Sequence, residues 1–350
     1  MKILFLTSGE SVPSYRFRVK QFLPHLRAAG HYCMVAHSYP EKYEHFKTIG
    51  FRPSQQLKRY KRHWDLLRAG WKRFDAVILE RELFDNPSVD IELRFRRIAK
   101  TMVLDVDDAI FCRYPNKAIA LAKMVDVVLA GNRLLAEWAS QFSNHVEWMP
   151  TCIDTDQYKP ASNIAPLDKA LVIGWVGTSS NIRNLEVVVA ALRETARNYR
   201  FEFRVISNER GVLDSLDLQG VNVRFEEWSA ERETAQLREL DIGIMPLIDD
   251  QWSQYKCGAK LLQYMALGIP GIASPVGVNG DILIHGQNGY LASTTEQWNS
   301  AFAKLLVDRN HRHSLGEVAI QTVVKKFSIQ THLPRWISII EAAVNRNKLR

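Results

Sequence analysis

The sequence predicts an α/β fold with two doubly wound, Rossmann-like domains of parallel strands that face each other across an interdomain cleft. Short apolar runs alternate along the whole chain with amphipathic stretches of helical length, which is typical of parallel sheets covered by helices on both faces. Each half of the chain also opens in the same way, with a strand, a polar turn that contains glycine, and a helix. At 350 residues the chain has room for two ordinary domains.

Apolar runs with the length and composition of strands occur in both halves. In the first half they are KILFLT, HYCMVAHS, FDAVILE, TMVLDV, VDVVLAG and HVEWMP, and in the second half LVIGWVG, FEFRVIS, VNVRFEE, DIGIMPL and GIPGIAS. Between the halves, DTDQYKPASNIAPLDKA contains two prolines and no apolar periodicity, which indicates a linker. We therefore expect an N-terminal domain at 1–155, a linker at 156–170, a second domain at 171–327, and a C-terminal helix at 328–350 that returns to the first domain.

The composition is that of a globular protein, with 46% apolar and 24% charged residues. Four cysteines lie far apart without a CxxC pair, which suits reduced structural thiols, and no His or Cys cluster has the spacing of a metal site. The apolar run at the N-terminus is too short for a signal peptide, and no stretch of eighteen apolar residues follows it. We therefore expect the protein in the cytoplasm.

A strongly basic stretch lies between Arg52 and Arg73, where eight Lys and Arg residues accompany a single acid, Asp65, with tryptophans and leucines interleaved. One interpretation is a solvated helix face, and a second is a basic amphipathic helix on an anionic membrane surface. A nucleic-acid interface is disfavoured because no DNA- or RNA-binding motif accompanies the charge. Both interpretations stay open at this point. The second gives residues 52–73 an anionic membrane surface as partner, with the protein peripheral at the inner face of the plasma membrane, and neither involves nucleic acid.

Several common motifs of nucleotide-binding and hydrolytic enzymes are absent from the sequence. Neither half opens with GxGxxG, which makes a nicotinamide-binding domain a weak interpretation. There is no GxxxxGK[ST] for a P-loop and no GxSxG for a serine nucleophile.

An apolar segment in the second half, YKCGAKLLQYMALGIPGIASPVG, carries a lysine where a buried helix should begin. If the helix runs from Gly258 to Gly268, Lys260 lies in its first turn, where the free backbone N–H groups already favour an anion. A diphosphate would offset the unfavourable position of this cation. Gln263, one turn further on, could hydrogen-bond a ribose hydroxyl. The alternatives are that Lys260 extends to solvent and that Gln263 is a surface amide.

The turn after LVIGWVG supplies a second set of candidate donor-site residues. The stretch GTSSNIR at 177–183 combines a glycine for close approach, polar side chains, and Arg183 just inside the next helix. Arg183 and Lys260 facing one cleft would hold a pyrophosphate from two sides, although Arg183 alone could be an ordinary surface residue. The candidate donor contacts in this turn are Gly177, Thr178, Ser179 and Asn181.

Four stretches together resemble a known family. KCGAKLLQYMALGIPGIASPVGVNGDILIHGQNGYLA looks like the C-terminal signature of the retaining glycosyltransferases of family four, which have the GT-B fold. LVIGWVGTSSN, VLDVDDAIF and MPTCIDTDQY resemble companion motifs of one bacterial branch. The resemblance implies a nucleotide diphosphate-sugar bound by the C-terminal domain, an acceptor bound by the N-terminal domain, and transfer in the cleft with retained anomeric configuration and no cofactor.

When this sequence is compared with the family's motifs position by position, Lys260 and Arg183 match the family's diphosphate-binding pair. The loop around Arg183 departs from the family's usual Arg-x4-Lys motif. The family's acid-x7-acid pair falls on Tyr255 and Gln263, and neither is acidic. Asp249, Asp250, Trp252 and Ser253 are candidates to replace the missing contacts to the donor sugar. GVNGD at 277–281 matches the family's Gly-rich loop, which makes Gly277 and Asn279 candidate donor contacts.

The predicted acceptor side centres on LDVDDAIF, where Asp105, Asp107 and Asp108 follow a strand. Three carboxylates so close together repel unless they are hydrogen-bonded or face positive charge, such as the oxocarbenium-like state of glycosyl transfer. Asp107 or Asp108 would serve there or orient the acceptor hydroxyl, and the alternative is a helix N-cap. DVD also spells the DxD metal motif of the other glycosyltransferase fold, but this two-domain layout needs no metal to hold the diphosphate. Further acceptor-side candidates are Gly9, Arg16, Arg81 and Glu82.

The predicted function is therefore transfer of a sugar from a nucleotide diphosphate-sugar to an acceptor hydroxyl with retention. The acceptor would be a glycan or a lipid-linked molecule in bacterial surface polysaccharide or glycan synthesis. Two alternatives remain: a sugar-nucleotide epimerase on the same fold, and a non-catalytic nucleotide-sugar-binding partner.

Overall fold

The computed structural model describes residues 1–160 and 170–348, which divide into two compact units. The first unit contains Met1–Cys152, the short segment Tyr255–Cys257, and the chain from Ile329 onward. The second unit contains Ile153–Gln254 and Gly258–Ser328. Of the linker predicted at 156–170, residues 161–169 lie outside the described residues.

Each unit is built on a six-stranded sheet in which every neighbouring pair of strands is parallel. The strands are β1 Lys2–Thr7, β2 Tyr32–His37, β3 Ala76–Glu80, β4 Thr101–Val106, β5 Val127–Ala130, β6 Val146–Trp148, β7 Leu171–Val176, β8 Phe201–Ser207, β9 Val223–Glu227, β10 Ile242–Met245, β11 Gly271–Ala273 and β12 Gly289–Leu291. The strand orders are β2-β1-β3-β4-β5-β6 in the first sheet and β12-β11-β10-β7-β8-β9 in the second.

Helices connect most of the successive strands within each sheet. In chain order they are α1 Pro13–Tyr15, α2 Phe22–Ala28, α3 Phe51–Lys72, α4 Asp90–Ile98, α5 Ile110–Arg113, α6 Pro115–Met124, α7 Arg133–Ser140, α8 Glu186–Asn198, α9 Glu233–Arg238, α10 Gln251–Gln254, α11 Ala259–Ala266, α12 Asn279–Ile282, α13 Thr295–Val307, α14 Arg309–Lys326 and α15 Ile329–Lys348. A π-helical turn, Arg16–Lys20, joins α1 to α2, and 3₁₀ turns occur at Ser179–Leu185 and Leu213–Ser215.

The predicted α/β class with two parallel sheets is confirmed. Each apolar run named above overlaps a strand, and all residues of the central strands β3 and β4 are buried, as expected for a sheet covered on both faces. The sequence prediction missed β12, a strand of three residues that begins at Gly289. Within the described residues, no helix has the length and apolar character needed to cross a membrane.

The last helix, α15, packs into the core of the first unit. The Trp336 ring lies with its centroid 6.2 Å from the centroids of both Phe5 and Phe22. Ile340 and Ala343, further along the same helix, are fully buried in the same apolar cluster. The C-terminal residues therefore complete the core under β1, the strand with which the chain begins.

We predict that Trp336→Ala lowers the free energy of unfolding by about 3–5 kcal/mol, because it leaves a large cavity under β1. The matched control is Trp71→Ala on α3, since the Trp71 side chain is 82% exposed whereas Trp336 is 2% exposed. The control should change the free energy by no more than about 0.5 kcal/mol. Denaturant unfolding of the two variants checks this, and equal effects would contradict the position given to α15.

Candidate active site

The carboxyl end of β7 and the beginning of α11 meet closely in the second unit. The Lys260 Nζ atom lies 5.6 Å from the centroid of the buried Trp175 ring. Gly177 follows β7 directly, and a Cβ atom there would lie 2.6 Å from the Trp175 ring and 2.9 Å from Lys260 Cε. Only glycine therefore allows the turn to pass this close to the lysine.

A hydrogen bond fixes the position of α11 beside β7. The backbone N–H of Val176 donates to the Tyr264 hydroxyl at 3.0 Å, and Tyr264 is fully buried. Gly258, with a φ of +70°, precedes the helix in the left-handed conformation and lets the chain turn into it. Lys260 consequently lies in the first turn of α11, where the positive end of the helix dipole also favours an anion.

The predicted polar residues after Gly177 are bonded to one another and to a neighbouring loop. The Asn181 side-chain amide donates to Thr178 Oγ1 at 2.7 Å, and Thr178 Oγ1 lies 3.1 Å from Ser180 Oγ. The backbone N–H of Ser179 donates to the Asn208 side chain at 2.9 Å. These bonds order the turn that connects β7 to the 3₁₀ helix at Ser179–Leu185.

Arg183, the second predicted diphosphate ligand, lies in this 3₁₀ helix with its side chain 60% exposed. Its Nη2 atom pairs with Asp250 Oδ2 at 3.2 Å. The carboxylate of Asp250 reduces the attraction of this site for an anion, unless the arginine exchanges one partner for the other. The Asp249 side chain accepts a hydrogen bond from Gln254, and Trp252 is half-buried on α10.

Gln263 is buried inside the second unit, so the alternative of a surface amide is wrong. Its side-chain amide donates to the Tyr158 hydroxyl at 3.2 Å, and that hydroxyl donates to Glu233 at 2.6 Å. Trp228 Nε1 donates to the other oxygen of the same carboxylate at 2.9 Å. Gln263 thus belongs to a buried polar network, and its contact with a ribose stays a prediction.

The predicted Gly-rich loop packs tightly against α10. Gly277 has a φ of +55°, and a Cβ atom there would lie 2.4 Å from the backbone oxygen of Gln254. Asn279 is buried and donates from its side chain to the backbone oxygen of Ser274 at 3.0 Å. Its side-chain oxygen has no hydrogen-bond partner among the described residues.

In the first unit, the buried carboxylate of Asp105 at the end of β4 is held by Arg18. The Arg18 guanidinium forms two bonds to Asp105, from Nε at 2.8 Å and from Nη2 at 3.2 Å, and donates a third to the backbone oxygen of Met149 at 2.8 Å. The sequence prediction chose Arg16, which is half-buried over the Phe17 ring at 5.3 Å. The sequence does not show whether Arg16 or Arg18 points into the core, because the π-helical turn Arg16–Lys20 sets the directions of their side chains.

A second arginine, Arg81, holds the next two carboxylates. Its Nε atom pairs with Asp107, and its Nη2 atom lies 3.5 Å from Asp108. Arg81 has a φ of +58°, so a non-glycine residue adopts the left-handed conformation directly after β3. Burial acts to raise the pKa of Asp107, but the Arg81 pair outweighs it and the pKa lies below its ordinary value. Burial raises the pKa of Asp108, although Arg81 and Lys256 act against it.

The crowded carboxylates are therefore paired with two arginines instead of capping a helix. The residue before α5 is Ala109, and no side chain caps that helix. The expected repulsion among Asp105, Asp107 and Asp108 is offset by Arg18 and Arg81.

The three-residue segment Tyr255–Cys257 lies against this edge of the first sheet. The Asn132 side chain donates to the backbone oxygen of Tyr255 at 2.7 Å, and the Tyr255 ring packs edge-on against Phe111 at 4.8 Å. A Cβ atom on Gly131 would lie 2.6 Å from Cys257 Sγ. Burial and the nearby Asp107 carboxylate raise the pKa of Cys257 to about 12. Sequence reasoning gave no indication that this segment belongs to the first unit.

The remaining acceptor-side candidates have partners within the first unit. Glu82 pairs with Lys42 at 2.6 Å, and both side chains are buried. Gly9 lies against Glu41, where a Cβ atom would come within 2.5 Å of Glu41 Cδ. Among the residues that the structure describes, no group of three or more His, Cys, Asp or Glu side chains could hold a metal ion.

Comparison with known proteins gives one family match. Residues 170–308 match the family model described as Glycosyl transferases group 1. No curated protein sequence matches the chain.

Solved structures share the whole fold at low sequence identity. Anabaena HepE in complex with UDP and glucose has a TM-score of 0.70 at 14% identity, covering 98% of this chain and 100% of that one. Sucrose-phosphate synthase from Thermosynechococcus elongatus has a TM-score of 0.74 at 14% identity, with the same coverage. A glycosyltransferase from Rickettsia africae has a TM-score of 0.70 at 12% identity, covering 98% of each chain. Together with the two parallel six-stranded sheets, these similarities confirm the predicted GT-B fold class.

The buried side chain of Glu80, at the end of β3, leads to a prediction about how the stability of the protein depends on pH. Its carboxylate accepts hydrogen bonds from the Ser8 backbone at 2.7 Å and from the Ser14 hydroxyl. Burial raises its pKa from 4.5 to about 7, although Arg81 and the two serines act to lower it. The folded protein favours the protonated form of Glu80, and this preference stabilises the fold. The stabilisation is complete below pH 4.5 and is lost as the pH rises through 7.

We therefore expect the free energy of unfolding of the wild type, relative to Glu80→Gln, to fall by about 3 kcal/mol across this pH range. Gln keeps the shape of the protonated carboxyl but cannot ionise. Denaturant unfolding at a series of pH values measures the difference. Parallel curves for the two proteins would contradict the raised pKa of Glu80.

Proposed function

We propose that this protein is a glycosyltransferase that moves a sugar from a nucleotide diphosphate-sugar to an acceptor hydroxyl with retention of configuration. The observation that carries the proposal is the position of Lys260, held over Trp175 in the first turn of α11 beside Gly177. The match of residues 170–308 to group 1 glycosyltransferases supports it. The similar Anabaena HepE is described with UDP and glucose, and the pneumococcal O-GlcNAc transferase GtfA with UDP and GlcNAc.

The second unit would bind the donor. Lys260 and the positive end of the α11 dipole offer positive charge to a diphosphate, and each charge-assisted bond contributes about 1.5–3 kcal/mol. Arg183 would give up its exposed ion pair with Asp250 and bind a phosphate oxygen instead. Gly177, Thr178, Ser179 and Asn181 would contact the nucleotide, and Gly277 and Asn279 the phosphate or sugar. Gln263 would reach the ribose, and Asp249 and Trp252 the donor sugar.

The chemistry follows from these charges. As the bond between the sugar and the diphosphate breaks, negative charge grows on the leaving oxygen. Lys260 and Arg183 would stabilise that charge more strongly in the transition state than in the bound substrate, which is the condition for catalysis. The acceptor hydroxyl would attack from the same face and pass its proton to the leaving phosphate, so that the configuration is retained.

The first unit would bind the acceptor. Asp107 and Asp108 are the candidate carboxylates, with Arg81, Glu82, Gly9 and Arg16 as further contacts. Asp108 suits the orientation of an acceptor hydroxyl better than Asp107, because its contact with Arg81 is longer, at 3.5 Å. Burial also raises the pKa of Asp108, which makes it a stronger base than an ordinary aspartate. A glycan or lipid-linked acceptor in bacterial surface polysaccharide synthesis, made at the cytoplasmic side, fits this assignment.

One observation favours a second candidate, a non-catalytic protein that binds a nucleotide-sugar. The two positions of the family's acidic pair hold Tyr255 and Gln263, and these side chains contact Phe111 and Tyr158. A protein that had lost these acids could bind the donor without turning it over.

Replacing Lys260 with Met tests the proposed function. Met keeps an unbranched apolar side chain over Trp175 but removes the charge, so we expect turnover to fall by about 10²-fold or more. The matched control is Lys304→Met, because Lys304 also lies over an aromatic ring in the second unit, at 5.4 Å from the centroid of Tyr290. Lys304→Met should keep its activity.

The donor is first identified by thermal-shift screening of UDP-, GDP-, dTDP- and ADP-sugars, and turnover is then measured as release of the nucleotide. Near-normal turnover in Lys260→Met would contradict the role of the lysine. A changed sugar formed from the donor alone would indicate an epimerase. Binding without turnover across a panel of acceptors would favour the non-catalytic candidate.

A further inference from the structure

Helix α3 of the first unit packs with its polar side inward. Its buried residues share one face of the helix and are Ser54, Lys58, Arg62, Asp65 and Ala69. A surface helix normally buries its large apolar side chains and exposes its charges. In α3 the arrangement is the reverse, although the helix carries two tryptophans, a tyrosine and three leucines.

Specific hydrogen bonds hold the polar face of α3 in place. Arg62 donates to the backbone oxygens of Ala36 at 2.8 Å and Thr7 at 2.6 Å, near the ends of β2 and β1. Lys58 donates to the backbone oxygens of Lys42 at 2.8 Å and Glu44 at 2.7 Å. These carbonyl groups accept hydrogen bonds from both buried cations, so the rotation of α3 about its axis is fixed by bonds at several points.

The opposite side of the helix, here called the α3 outer face, is a continuous apolar stripe in solvent. It consists of Leu57, Tyr60, Trp64, Leu67 and Trp71. Tyr60 is 72% exposed, Trp64 55% and Trp71 82%. The spacing of three or four residues aligns all five along one line of the helix. An exposed apolar stripe of this length marks a binding surface, because single exposed apolar residues are scattered on ordinary surfaces.

Basic residues border the α3 outer face on both sides. At 100° per residue, Arg52, Arg59 and His63 lie along one edge, and Lys61, Arg68 and Lys72 lie along the other. The only acid in α3 is Asp65, and it is buried beside Arg62 and Lys61. The exposed surface of the helix therefore carries positive charge alone.

We propose that the α3 outer face binds the surface of an anionic lipid bilayer, with the helix lying parallel to the membrane. The aromatic side chains of Trp64, Trp71 and Tyr60 each have an apolar part and a polar group. They therefore suit the headgroup region of a bilayer, where apolar and polar surroundings meet. The two basic edges would contact lipid phosphates. The proposal stands on α3 alone and does not depend on the transferase activity.

Charge favours a bilayer over a second copy of the chain. Two α3 outer faces in contact would bring four basic edges together without an acid between them, which is unfavourable. An anionic membrane offers apolar depth for the aromatic stripe and negative charge for both edges at once. The simple solvated face considered from the sequence does not account for the exposed stripe.

Flotation of the full-length protein with vesicles tests the proposal. The vesicles are phosphatidylcholine alone, or phosphatidylcholine mixed with phosphatidylglycerol, and binding is expected only with the mixture. The double variant Trp64→Ser, Trp71→Ser should bind at least about ten-fold more weakly, because it removes the aromatic insertion. The double variant Arg52→Gln, Arg59→Gln should bind about 25-fold more weakly, since each cation near an anionic surface contributes roughly a factor of five.

Two control variants change the same kinds of residue elsewhere. Val307→Ser removes an exposed apolar side chain from α13, and Arg197→Gln with Lys325→Gln removes two exposed cations from α8 and α14. Both should bind as the wild type does. All of the substituted side chains are exposed, so the thermal unfolding temperature should be unchanged in each variant. If one of the two α3 variants fails to fold, the other still tests membrane binding.

Failure of the wild type to float with anionic vesicles would overturn the proposal. Equal binding by the wild type and both α3 variants would do the same. A dimer in sedimentation velocity that dissociates on Trp64→Ser, Trp71→Ser would assign the α3 outer face to a second copy of the chain instead.

Discussion

The close packing of Lys260, Trp175 and Gly177 is the constraint on which the proposed donor site depends. Three conditions hold together: the glycine leaves space beside the lysine, the ring supports its side chain, and the Tyr264–Val176 hydrogen bond fixes α11 against β7. All three conditions arise where the end of β7 meets α11. A positive charge is thereby kept at the carboxyl end of a central strand, which is where parallel sheets bind their ligands.

The first unit follows a different principle, in which buried charges are paired before any ligand arrives. Arg18 pairs with Asp105, and Arg81 pairs with Asp107 and lies near Asp108. Such pairs are costly to bury and costly to break, so they fix the loops after β3 and β4 in one arrangement. Buried charges also set the orientation of α3, because Arg62 and Lys58 donate hydrogen bonds to backbone oxygens. The apolar residues of that helix are left outside as a consequence.

The strands and the start of α11 could be predicted because their signals are local. Apolar runs such as TMVLDV and FEFRVIS coincide with β4 and β8, and Gly258 and Gly268 bracket the helix that carries Lys260. The partners of buried polar groups could not be predicted, because they are distant in sequence. Gln263 bonds to Tyr158, and α3 is oriented by carbonyls of β1 and β2. No local pattern encodes such pairs.

The proposed function requires that Lys260 binds the diphosphate of a donor nucleotide. A crystal structure of the protein with UDP, or with the nucleoside diphosphate that screening identifies, tests this contact. We expect a phosphate oxygen about 2.7–3.0 Å from Lys260 Nζ, at the first turn of α11. A well-defined nucleotide bound elsewhere, with the lysine still over Trp175 and touching no phosphate, would contradict it.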